Sequence, residues 1–258
     1  MNCARQESPR ATITRKERCM TTLPPFIDEN NLYPKEDPFL IQRSHAAELF
    51  IVRHADAIPE ADEIIPSGIY DDLPLSRLGR EQALALAERL GSLNFDALYS
   101  SPLRRCLQTA APLAERLGLK PTVIEDLKEI KLGNLRPLPH DGEDLEALSR
   151  ALQERQADIV RLAGEAGHWD VIPDSEPSKS FRGRVVEALD EIARNHIGQR
   201  VLAFAHGGVV NAYVAEVLGL ERDFFFPAAN TSITVVRASG KRRVLFVLND
   251  LGHLKRPS

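Results

Sequence analysis

The chain has 258 residues, 43% hydrophobic and 27% charged, ordinary for a globular protein and enough for one large α/β domain or two small ones. A net charge of -4 gives no reason to expect nucleic acid or an anionic membrane as partner, so any anion site must be a local concentration of arginine. No apolar run reaches the roughly 18 residues of a transmembrane helix, and the cysteines, Cys3, Cys19 and Cys106, are odd in number without metal-like spacing, which points to a reducing, cytoplasmic setting.

Residues 1–45 are polar, rich in Arg and Thr, and without periodicity. They lack the apolar segment of a secretory signal, and Glu7 and Glu17 weaken a transit-peptide reading. They are expected to form a partly disordered arm, or to follow an upstream start codon with Met20 as the true start. From Glu48 strand and helix alternate. Leu49-Phe50-Ile51-Val52 reads as a strand buried on both faces, and it runs straight into Arg53-His54. An acidic loop follows, with Asp56, Glu60, Asp62 and Glu63. Ser76 is placed to N-cap a helix to about Leu90, with Leu78, Leu84, Leu86 and Leu90 as its apolar stripe. "FDALYS" reads as a short strand. Ser101 and Pro102 then suggest the N-cap and first residue of a helix with core positions from Leu103 to Leu117, ended by Gly118. "PTVIEDLKEIKLGNL" begins as a strand and becomes a loop; "GEDLEALSRALQERQADIVRLAGEAG" reads as one or two surface helices. A further amphipathic helix, "KSFRGRVVEALDEIARNHIG", precedes a strand, tight turn and helix in "RVLAFAHGGVVNAYVAEVLGL". "NTSITVVRA" and "RRVLFVLND" read as a closing hairpin. Strands separated by helices imply a mostly parallel sheet covered on both faces.

Two strands end alike, one at Arg53-His54 and one at His206-Gly207-Gly208. Ligands of open α/β sheets bind at the carboxyl ends of strands, so two histidines delivered there can face each other. A single such histidine is equally compatible with a satisfied buried residue; two in the same topological position favour a site. Arg104 and Arg105 lie in a helix's first turn, where positive charge is misplaced unless an anion compensates it. Glu129 alone reads as an exposed loop carboxylate.

"LFIVRHADA", "DLPLSRLGREQA", "SSPLRRCLQTA", "LKEIKLGNL", "FAHGGVVNA" and "NTSITV" resemble, in this order, the motifs of the histidine phosphatase superfamily, the phosphoglycerate-mutase-like proteins. The resemblance covers Glu48 to about Leu254. It implies a three-layer α/β/α sandwich over residues 46–258 with a mostly parallel central sheet and a small helical cap insertion at about 134–180. It also implies a metal-independent phosphomonoesterase, without cofactor, that forms a phosphohistidine on His54. Arg53, Arg105 and His206 then resemble the phosphate-contacting side chains, Gly207 the residue whose amide reaches the phosphate, and Glu129 the proton donor. Ala55 stands where the family commonly has Gly, so the loop geometry there is in question.

Phosphoglycerate mutases of this family usually follow Arg-His-Gly with Glu-Ser and soon an Asn, and carry Arg-Arg-Ser with a Pro-rich run in the cap insertion. Here "ADAIPEADE" and "LPHDGEDLEALSRALQ" stand instead, which favours a phosphatase over a mutase-type phosphotransferase. A non-catalytic member binding phosphorylated ligands or proteins is the alternative of another class. A metal hydrolase using His54, His206 and Asp56 is disfavoured because Arg53 and Arg105 would repel a divalent cation. The expected partner is a small phosphorylated substrate, not nucleic acid or membrane; a homodimer is left open. The acidic loop either only solvates an exposed surface or borders the pocket mouth and disfavours substrates with a second anionic group, with Lys131 and Arg136 offsetting it in part.

Overall fold

The structure is a computed structural model that describes residues 37–60, 63, 72–133 and 145–254. Cys3, Cys19, Met20, Asp62, Arg136 and the start of the expected insertion lie outside the described residues.

The elements follow in order β1 (Ala47–Arg53), α1 (Arg77–Leu90), β2 (Ala97–Ser100), α2 (Arg104–Leu117), β3 (Thr122–Val123), α3 (Leu145–Ala166), α4 (Ser178–Asn195), β4 (Arg200–Ala205), α5 (Gly207–Leu218), β5 (Ile233–Ser239) and β6 (Arg242–Asp250). They build a six-stranded sheet ordered β3-β2-β4-β1-β5-β6. The pairs β1–β4, β2–β4 and β2–β3 are parallel; β5 runs antiparallel to β1, and β6 to β5. No helix among the described residues is long and apolar enough to cross a membrane.

Side chains alternate across a strand, so β1 and β4 feed two cores. Leu49, Ile51, Val201 and Ala203 pack with Phe181, Val185 and Leu189 of α4 and Val210 and Tyr213 of α5. Val52, Leu202 and Phe204 pack with Leu86 and Leu90 of α1 and Cys106 and Leu113 of α2. The sheet is thus covered on both faces, as the continuous apolar runs of its central strands require. The long acidic-basic segment after β3 forms one helix, α3, which contributes Ile159 and Ala163 to the first core.

Ser76 does N-cap α1, its Oγ accepting from Gly79 N at 3.0 Å. The α1 stripe differs from the leucine pattern. Leu78 and Leu84 are exposed, and Gly79, Ala83 and Ala87 join Leu86 and Leu90 inside, because helices pack closely where residues are small. Ser101 and Pro102 lie outside α2, whose N-cap position is Leu103. Its first N–H group, at Arg104, donates instead to the Asp72 carboxylate at 2.7 Å, and Asp72 also approaches the Arg104 guanidinium. Asp72 therefore supplies the negative charge that Arg104 lacked in sequence. Gly118, at φ 65°, closes the helix in the left-handed conformation.

Candidate active site

Adjacent strands bring the two histidines together. Arg53 pairs in register with Ala205, and His54 N donates to Ala205 O at 2.9 Å, so His54 and His206 leave one ladder side by side. Their ring centroids are 5.2 Å apart.

The His54 ring is buried, with Nδ1 2.7 Å from Ala55 O. A carbonyl only accepts, so Nδ1 carries the proton and Nε2 the lone pair. Burial pushes the imidazole pKa well below its ordinary value, with Arg105 and Arg53 acting in the same direction, so the ring is neutral. Ala55 N donates to Thr109 Oγ1 at 2.9 Å, and Thr109 Oγ1 donates to Arg105 O at 2.6 Å. Ala55 is fully buried against Leu75 and Ala83 and is absent from the positive-φ residues, so alanine fits where the family commonly places glycine. A second clamp comes from the turn before β5. Asn230 Nδ2 and Thr231 N donate to His54 O, and Thr231 N also to Arg53 O. Thr231 does so at φ 57°, a strained conformation for a β-branched residue, held by complete burial.

Cations and a carboxyl surround the pair. Arg53 Nη1 donates to Ala228 O at 2.5 Å, while its buried Nε has no partner and is a donor awaiting an acceptor. Arg105 Nη2 lies 3.3 Å from His206 Nδ1. Glu129, in the loop after β3, accepts from Ile130 N and Gly208 N at 3.1 Å each. Burial pushes its pKa up; the two amides, Arg105 and Arg53 pull the other way without cancelling the rise. Its close approach requires glycine at 208, where a Cβ would lie 2.3 Å from Glu129 Oε1. At Gly207, which opens α5 beside Arg53, the nearest atom to a Cβ would be 3.6 Å away. Arg53, His54, Arg105, Glu129, His206 and Gly207 are therefore gathered into one place. Together they offer a neutral nucleophilic nitrogen, two guanidinium groups and a carboxyl of raised pKa, which suits phosphoryl transfer.

The described acids of the loop have partners at the start of α1. Glu60 pairs with Arg77 and Glu63 with Arg80, each at 2.9 Å, and Asp56 accepts from Ser76 Oγ at 2.5 Å. Glu60 and Glu63 are ion-paired and brace the start of α1; Asp56 is held by the Ser76 hydroxyl rather than joining the two histidines as a metal ligand. Lys131 is exposed. Thr109, Thr231 and Arg184 contribute without having been singled out in the sequence, and Ser101, expected as a helix cap, faces His206 instead. Arg184 of α4 donates to the carbonyls of Asp126, Lys128 and Glu129 and to Glu176, fastening the loop that presents Glu129.

Comparison with known proteins follows the same lines. Residues 49–251 match the sequence profile of the histidine phosphatase superfamily (branch 1). The metal-independent phosphoserine phosphatase of Arabidopsis thaliana is 30% identical over 215 residues, 82% of this chain and 84% of that protein. Phosphoserine phosphatase 1 of Hydrogenobacter thermophilus is 30% identical over 212 residues, 80% of this chain and 94% of the relative. Among solved structures, a phosphoserine phosphatase from Entamoeba histolytica in complex with phosphoserine superposes with a TM-score of 0.61 at 25% identity, covering 81% of this chain and all of that one.

Proposed function

Because this chain belongs to the histidine phosphatase superfamily (branch 1), we propose that it hydrolyses small phosphomonoesters through a phosphohistidine on His54, without a metal. The observation that carries this reading is a neutral, buried His54 whose Nδ1–H is held by Ala55 O, set among Arg53, Arg105 and His206.

His54 Nε2 attacks phosphorus as the bond to the leaving oxygen breaks. Arg53 and Arg105 stabilise the charge spread over the equatorial oxygens, Arg53 with its unpartnered Nε among the donors. The amide of Gly207 joins them at the start of α5. The leaving alkoxide takes the proton of Glu129, which its raised pKa makes available. Water then attacks the phosphohistidine, Glu129 takes its proton, and the P–N bond breaks to return the lone pair to Nε2. Phosphoserine is the first substrate to assay, since relatives of 30% identity bear the name phosphoserine phosphatase.

The test is phosphate release from a panel of phosphomonoesters, phosphoserine included, in excess EDTA. Activity should persist under chelation. Wild type should trap an acid-labile, base-stable phosphoenzyme that His54→Ala cannot form. An adduct on His54→Ala would overturn the assignment of the nucleophile, and recovery only on adding Zn²⁺ or Mg²⁺ would overturn metal independence. Transfer of phosphate between substrates without net release would place the chain with the mutases instead.

A further inference from the structure

His206 carries an unusual constraint. Its ring is fully buried, and burial first, then Arg105, His54 and Arg53, hold its pKa well below the ordinary value. Arg105 Nη2 faces Nδ1 at 3.3 Å, and a guanidinium can only donate, so Nδ1 presents a lone pair. The proton of the neutral ring must then sit on Nε2, which lies 2.8 Å from Ser101 Oγ. The rest of the network agrees. Ser101 Oγ also receives Leu103 N–H at 3.4 Å, and Cys106 Sγ donates to Ala205 O at 3.3 Å while lying 3.5 Å from Nε2, where its sulfur is a second, weaker acceptor. The thiol stays protonated, pushed up to about 12 by burial.

We propose that Ser101 is a positioning residue that fixes His206 as the Nε2–H tautomer, so that a phosphate-like anion brings one proton to Nδ1 when it binds. This rests on the phosphatase reading of the site. The groups facing His206 are Arg105 and Cys106 from α2, Arg53 at the end of β1 and His54 just after it, and Arg184 from α4; Glu129 stands against the adjoining turn at Gly208. The charged neighbours of the ring nitrogens are cations, so a protonated Nδ1 is repelled until an anion lies between it and Arg105. The anion reverses that balance, and Nδ1–H becomes a charge-assisted donor to it. Binding the anion and binding the proton are reciprocal events.

Sulfate is the probe, because it stays a dianion near neutral pH and brings no proton of its own. Calorimetry of sulfate binding to the full chain at neutral pH, in buffers of different ionisation enthalpy, should report about one proton taken up per anion, and the Kd should rise about tenfold per pH unit above neutrality. Glu129→Gln should leave the uptake intact, and His206→Gln should remove it. Ser101→Ala leaves the buried Nε2–H only the weak Cys106 sulfur acceptor and should weaken sulfate about tenfold and raise KM more than it lowers kcat, while Ser101→Thr restores both. No uptake in wild type, uptake lost in Glu129→Gln or kept in His206→Gln, or Ser101→Ala binding sulfate like wild type would each overturn the proposal. If Ser101→Ala fails to fold, the wild-type and Glu129→Gln proton counts decide. Sulfate is not hydrolysed, so a normal proton count with no turnover of phosphomonoesters would overturn the phosphatase reading alone.

Discussion

At the scale of single residues, protonation states set the chemistry. Glu129 must be protonated to give its proton away, and burial raises its pKa, so kcat/KM should fall as pH rises through that value. Glu129→Gln should remove the part of this alkaline limb that also appears in kcat, leaving the part that proton uptake at His206 imposes on anion binding, and lower kcat for alkyl phosphates by roughly 10²–10⁴-fold. With 4-nitrophenyl phosphate, whose leaving group needs no proton, the same variant should show a fast burst and then a slow steady state, because water still lacks its base. The histidines make a stability prediction. Folded His54 and His206 resist protonation, whereas the unfolded chain takes up a proton at each near pH 6.5. The unfolded state therefore binds more protons below that pH, and stability falls as pH drops from 6.5 toward the folded pKa values, by about 1.4 kcal/mol per pH unit per group. In phosphate-free buffer, denaturation of His54→Asn at acid and neutral pH should show this acid loss reduced by about 1 kcal/mol. His54, Arg53 and Arg105 were legible because they break local rules: ionisable groups at the end of a core strand, a cation in a helix's first turn. Ser101 misled because Ser before Pro at a helix start usually caps, and only the fold shows its hydroxyl under His206.

Elements decide how closely those groups approach. The turn from β4 into α5 places Gly208 N on the Glu129 carboxylate, and a methyl group at 208 would lie 2.3 Å from Oε1 and 3.3 Å from the Phe181 ring. Gly208→Ala should therefore shift Glu129 and lower kcat by about 10²-fold, as displacements of about 1 Å commonly do. Gly207→Ala meets ordinary contacts and should change the unfolding free energy by no more than about 0.5 kcal/mol, read by denaturant titration. Both glycines look alike in the sequence; the difference lies in a loop contributed by a distant segment. The same holds for the acidic loop. Its charges were visible, but their partners, Arg77 and Arg80, sit on the face of α1 that turns toward them. The alternation of strands and helices was legible from β1 onward because the helices are long enough to show their period and frame even the short strands β2 and β3, whereas the α1 stripe was misjudged because alanine and glycine, not leucine, mark its tightest packing.

For the whole molecule, we propose that residues 46–258 carry fold and activity. A chain lacking residues 1–36 should match the full one in melting temperature and kcat/KM; a large fall in either would contradict this. Strand order was beyond the sequence, because which strands become neighbours depends on packing across the sheet rather than on any local pattern. That order has a consequence during synthesis. β4 lies between β2 and β1, yet it is made long after both. A nascent chain that already holds β1, β2 and β3 has a slot in its sheet with a bare strand edge on either side, the kind of surface that draws chaperones or aggregates. The slot closes when residues 200–205 leave the ribosome, and the next residue delivered is His206. A polypeptide cut short before Arg200 would keep His54 while lacking its companion histidine and the strand that seals the sheet, so it should be inert and adhesive together.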